Sequence, residues 1–105
     1  MTEDPSNLNT QAIELANRGS YVEAIACFKR AITMDRNNPL LWYNLGVTYR
    51  DANHLHHAKN ALLTAYNLEP DDQDILETLA HVCFLLGESE EALGFCAHGL
   101  EQNIR

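Results

Sequence analysis

Positive charge is scarce in this chain of 105 residues. Seven Lys and Arg stand against fifteen Asp and Glu, a formal net charge of −8 with histidine neutral. Nucleic-acid binders need a clustered basic surface, and a helix adsorbed on a membrane needs a basic polar face; neither partner is expected. No apolar run approaches the ~20 residues of a membrane span, and Met1-Thr2-Glu3-Asp4-Pro5 lacks the positive end and apolar stretch of a secretory signal. Cysteines are few, odd in number (Cys27, Cys83, Cys96) and never spaced Cys-x-x-Cys, which argues against a disulfide framework or a zinc ribbon. Each lies in an apolar stripe, so all three are expected to be buried small hydrophobes in a reduced, cytoplasmic protein.

Catalytic patterns are missing as well. There is no glycine-rich phosphate loop, nucleophile elbow or zincin spacing. Glu90 and Glu91 are adjacent, so they point to different faces of a helix and cannot act as a pair. Buried thiols have raised pKa values and make poor nucleophiles. His54, His56 and His57 cluster beside Asp51, but a structural zinc site wants four fixed ligands and a catalytic one three; a solvated turn is the expected reading. The chain is read as no enzyme, with no cofactor and no metal.

What the sequence does have is internal repetition. Shifted by 34 residues it lies on itself: Leu8 with Trp42 and Leu76, Ala12 with Gly46 and Ala80, Ala24 with Ala58 and Ala92, Phe28 with Leu62 and Cys96. Within each unit the period is helical. Tyr21, Ala24, Ile25, Phe28, Ala31 and Ile32 share one face, as do Leu41, Leu45, Thr48 and Ala52. No stretch alternates as a strand would. The spacing predicts six helices, over 5–18, 21–34, 39–52, 55–68, 73–86 and 89–102.

Punctuation agrees with these limits. Asp4-Pro5 and Asn38-Pro39 each offer a capping side chain before a proline at the first helical position. Asp72 can cap the fifth helix, and Ser20 with Glu23 has the spacing of a capping box. Gly19 and Gly87 stand where helices end, with Asn53 in the corresponding place between them. Connections of two to four residues make consecutive helices antiparallel.

Trp42-x-x-Leu45-Gly46-x-x-Tyr49, followed by Ala58 and Pro70, resembles the tetratricopeptide repeat signature. The first unit keeps Ala24, Phe28 and Ala31; the third keeps Leu76, Leu79, Ala80 and Ala92. The resemblance implies an all-α fold, a right-handed superhelical α-solenoid of three antiparallel helix pairs. Its expected organisation is a short tail at 1–4 and a single domain at 5–105, with repeats at 5–38, 39–72 and 73–105. Arg36 departs in the first unit, standing in a column where the family favours proline; Cys83, Cys96 and Gly99 depart in the third, which makes the third unit the one expected to be loosest.

The resemblance also implies a binding scaffold whose first helices line a concave groove for a partner peptide. The off-stripe residues of those helices are then the candidates: Asn9 and Ile13; Leu40, Tyr43, Asn44, Val47, Arg50 and Asp51; Asp74, Glu77, His81 and Phe84. Ile13, Val47 and His81 are 34 apart and should form one column. A face meeting only water would be mostly charged, so Ile13, Leu40, Tyr43, Val47 and Phe84 suggest an apolar or aromatic anchor in the partner. The carboxylate clamp by which one subfamily holds acidic chaperone tails would need suitable groups at Asn9, Ile13, Asn44, Asp74 and Thr78. Only Asn44 matches, and Asp74 has the wrong sign. Net charge runs −1 over 1–38, −2 over 39–72 and −5 over 73–105, which favours a basic flank on the partner instead. A second surface is the last helix, where Phe95, Cys96, Leu100 and Ile104 have no following helix to cover them. Homodimerisation, burial by another protein and a longer array all stay open there, and self-assembly is the alternative function.

Overall fold

The computed structural model describes residues 3–103. It holds six helices, α1 (Pro5–Asn17), α2 (Tyr21–Met34), α3 (Pro39–Asp51), α4 (Leu55–Leu68), α5 (Gln73–Leu85) and α6 (Ser89–Asn103), and no strand among the described residues. Each end lies within one residue of its expected place. No helix is long and apolar enough to cross a membrane.

The three turns inside helix pairs share one hydrogen-bond pattern. Gly19, Asn53 and Gly87 take positive φ of 81°, 64° and 80°, and each donates to the carbonyl three residues back. The residue after each then donates five residues back: Ser20 to Leu15 (2.9 Å), His54 to Tyr49 (2.8 Å) and Glu88 to Cys83 (2.8 Å). These bonds satisfy carbonyls that the helix end leaves open. They also correct one expectation. Ser20 makes no side-chain cap, because the turn fixes its ψ at 64°, far from the extended 161° of Asp4, whose carboxylate accepts from Asn7. The turns between pairs are capped as expected, with Asn38 accepting from the Leu40 N–H and Asp72 from that of Ile75.

Helices pair α1 with α2, α3 with α4 and α5 with α6, and α2 meets α3 as α4 meets α5. Each pair closes on small residues: Ala12, Ala24, Ala31, Ala58, Ala65, Ala80 and Ala92 are buried. A Cβ added to Gly46 would stand 2.6 Å from Leu62 Cγ, so only glycine allows that approach of α3 to α4. Leu41, Leu45 and Thr48 on α3, and Ile75, Leu79 and Val82 on α5, fill the joints between units. Val82 joins the α5 stripe in the column that holds Thr48 on α3. One cysteine departs from expectation: Cys27 and Cys83 are buried but Cys96 is exposed, since among the described residues no further helix lies over it.

The extents are 46 × 28 × 18 Å. The thinnest dimension matches two helix layers, each ~10 Å across. Among the described residues α1 touches α3 and α3 touches α5, whereas α2, α4 and α6 do not touch one another. The first helices therefore form the shorter, inner layer of an all-α solenoid.

Candidate functional site

The inner layer is joined at two places by candidate residues. Asn44 Nδ2 donates to Asn9 Oδ1 (2.9 Å) between α1 and α3. One unit later the Thr78 hydroxyl approaches Tyr43 Oη at 3.4 Å, between α3 and α5. Thr78 is nearly buried and takes the column of Asn44 on the third unit.

Three depressions follow on this layer. One of about 200 Å³ is lined by Ile13, Asn44, Val47 and Asp51, with Phe28 and Thr48 in its floor. A second, of about 280 Å³, holds Leu40, Tyr43 and Asp74 together with Glu69, Asp72 and Ile75. The third, about 290 Å³, holds Asn9 and Leu40 with Asp4, Asp35 and Leu41. Leu40 is exposed and belongs to both of the last two, so one aliphatic side chain stands between two acid-lined notches. Among the described residues no Lys or Arg lines either notch.

The acids at the turns were missed as candidates. A signal for them existed: Asp4, Asn38 and Asp72 lie in one 34-residue column, and Asp35 and Glu69 in another. The remaining candidates are less closely grouped. Arg50 pairs with Asp51 at 3.2 Å, which engages both side chains. His81 and Phe84 are exposed on α5, but neither lines a depression with Ile13 and Val47. Glu77 lies on the far side of α5, in a hollow with Leu76, Phe95, Cys96 and Leu100. Phe95 is half-buried there and packs edge-on against Tyr66, with ring centroids 5.4 Å apart. Ile104 lies outside the described residues.

Two further clusters carry chemistry in principle. His54 and His57 stack about the Tyr49 ring, with centroids 6.3 and 5.2 Å from it, as an aromatic group at the turn. Cys83, Glu88 and Glu91 offer ligand atoms within 4.8 Å of one another. Lys59 Nζ already stands 2.8 Å from Glu88 and 2.7 Å from Glu91, so an ammonium fills the place of a cation. Hydrogen bonds to Glu88 and then Glu91 push the Lys59 pKa above its usual range, and burial pushes the Cys83 thiol up.

Comparison with known proteins fits this geometry. A family profile described as TPR repeat matches residues 12–51, and one described as Tetratricopeptide repeat matches 40–72. The chain belongs to the tetratricopeptide repeat family. Its third helix pair lies beyond both matches and is placed in the tetratricopeptide array by its packing. No curated protein sequence matches the chain. Among solved structures, the second TPR of Spaghetti (RPAP3) bound to the HSP90 peptide SRMEEVD superposes with a TM-score of 0.88 at 21% identity, covering 93% of this chain and 91% of that one. The first TPR of Spaghetti with the same peptide gives 0.89 at 23%, covering 93% and 78%. The Sgt2 TPR domain from Aspergillus fumigatus gives 0.89 at 18%, covering 94% and 66%. At such identities these tetratricopeptide structures report the shared fold.

Proposed function

We propose that this chain, as one unit of three repeats over residues 5–105, is a non-catalytic protein–protein interaction module. It takes a partner peptide along the inner layer of α1, α3 and α5. The observation that carries this reading is exposed Leu40 between the Asp4–Asp35 and Glu69–Asp72–Asp74 notches, with the Ile13–Val47 hollow further along the layer. Such a surface suits an extended segment with an aliphatic or aromatic anchor and lysine or arginine beside it. Two of the neighbours above hold the HSP90 peptide SRMEEVD. Here an acidic tail would meet Asp72 and Asp74, and the Asn44 amide is already donated to Asn9. Affinity for a short segment should be near micromolar, about 8 kcal/mol.

Fluorescence anisotropy with a peptide library tests the reading. Binders should carry an apolar anchor with a basic flank, and Leu40→Glu or Val47→Glu should weaken them about tenfold or more. Preference for SRMEEVD, or binding indifferent to both substitutions, would overturn it. The alternative, self-assembly through α6, draws on exposed Leu93 and Leu100. Sedimentation at several concentrations decides it, since a chain that stays monomeric is not such a subunit.

A further inference from the structure

The outer layer carries a depression whose charge is opposite to that of the inner notches. α2 and α4 do not touch, and α3 floors the valley between them with Trp42, Leu45 and Tyr49. The Trp42 indole is held in place by its N–H, which donates to the Arg36 carbonyl at 2.8 Å. Ile32 and Ala61 line the two walls, and the hollow measures about 270 Å³. Four polar side chains rim it, Lys29, His57, Asn60 and Thr64, and each can donate a hydrogen bond. Among the described residues no Asp or Glu lines it, and Lys29 forms no ion pair. The Lys29 ammonium stands 5.9 Å from the centre of the Tyr49 ring, over the aromatic floor.

The valley one repeat later specifies what this one leaves open. Between α4 and α6 the columns of Ile32 and Ala61 hold Tyr66 and Phe95, whose rings pack edge-on with centroids 5.4 Å apart. Tyr66 also meets His98, in the column of Thr64, at 6.3 Å. The rim differs as well. Leu63 stands in the column of Lys29, and Glu91, paired with Lys59, in that of His57. The first valley thus has an aliphatic chain and a methyl group where the second has two aromatic rings, and donors where the second has an acid. What it lacks is a ring and a negative charge. An apolar floor with a few convergent polar groups is the usual form of a small-molecule site. The hollow has room for a ring on a short chain and not for a helix, which is ~10 Å across.

We propose that the valley between α2 and α4 is a second binding site, for a small aromatic carboxylate. The ring lies against Trp42 between Ile32 and Ala61, in the space that Tyr66 and Phe95 take one repeat later. The carboxylate accepts from the Lys29 ammonium, with His57 and Asn60 across the rim as further donors. The site opens on the outer layer and does not depend on the peptide surface.

The test titrates the whole chain with 3-phenylpropionate and reads the fluorescence of Trp42, the sole tryptophan, together with backbone amide NMR shifts. Saturable shifts should concentrate on Lys29, Trp42, Asn60 and Ala61. 3-Phenylpropylamine, the same ring with the opposite charge, should bind about tenfold more weakly, and Lys29→Glu, at an exposed site, should reverse that preference. Ala61→Phe places the third unit's residue in the first valley. It should fill the hollow and abolish binding without lowering the urea midpoint. Val47→Glu, on the inner layer, should leave binding unchanged. Equal affinity for acid and amine, shifts centred elsewhere, or binding that survives Ala61→Phe would overturn the proposal. So would tighter binding of a capped Ala-Phe-Asp-Ala peptide than of the free acid, which would give the valley to a protein segment.

Discussion

At Gly46 and Gly94 the same substitution should have opposite signs. Both glycines sit inside helices, where alanine is favoured by up to about 1 kcal/mol. A Cβ on Gly46 would press on Leu62 at 2.6 and 2.9 Å and approach the Ala58 carbonyl at 3.4 Å. Overpacking of that kind costs about 1–3 kcal/mol, which outweighs the helix preference, so Gly46→Ala should destabilise by up to about 2 kcal/mol. A Cβ on Gly94 would meet nothing within 4 Å. Gly94→Ala should therefore stabilise by about 0.5–1 kcal/mol. Urea midpoints of the two variants check the pair, and equal effects would mean that the close approach of α3 to α4 is not what excludes a side chain.

Alkaline pH should act through Cys83 and Lys59. Both groups hold their protons more tightly in the folded chain than free, from ordinary values of 9.0 and 10.5. The unfolded chain then binds fewer protons as pH rises, so unfolding becomes easier. Stability from these groups is complete below about pH 8 and declines from near pH 9, first through the thiol. Cys83→Ala should remove the earlier part of the decline. Urea unfolding at pH 7, 9 and 10 would detect it.

Among elements, the caps separate what local sequence decides from what the turn decides. Asp72→Ala removes the acceptor for the Ile75 N–H and should cost about 1 kcal/mol. Ser20→Ala should change stability by only a few tenths, because the Ser20 side chain caps nothing. Helix limits were legible because Pro5, Pro39, Gly19 and Gly87 act within one turn of themselves. The Ser20–Glu23 box misled because the preceding left-handed residue sets the backbone of its first member. Burial was legible wherever a following unit packs over the residue, as at Phe28 and Leu62. It failed at Cys96, which shares their column but, among the described residues, has no helix of a following unit over it. The same limit applies to the candidate site. Ile13 and Val47 could be grouped by their spacing, whereas each acid notch joins residues from segments about a repeat apart and forms only when units stack.

For the molecule as a whole, stacking makes stability a sum over neighbouring joints. The middle helices have a unit on either side; α3 buries five residues, Leu41, Leu45, Gly46, Thr48 and Tyr49. On α6 only Ala92 and Gly99 are buried among its described side chains, and exposed Leu93 and Leu100 contribute little. Opening α6 alone therefore forfeits one joint, not two, and should need less free energy than opening α3 or α4. Native-state hydrogen exchange should show amides of α3 and α4 opening near the global free energy and those of α6 well below it. Uniform protection across all six helices would show that the chain opens as one cooperative body, and the nearest-neighbour account of its stability would fail.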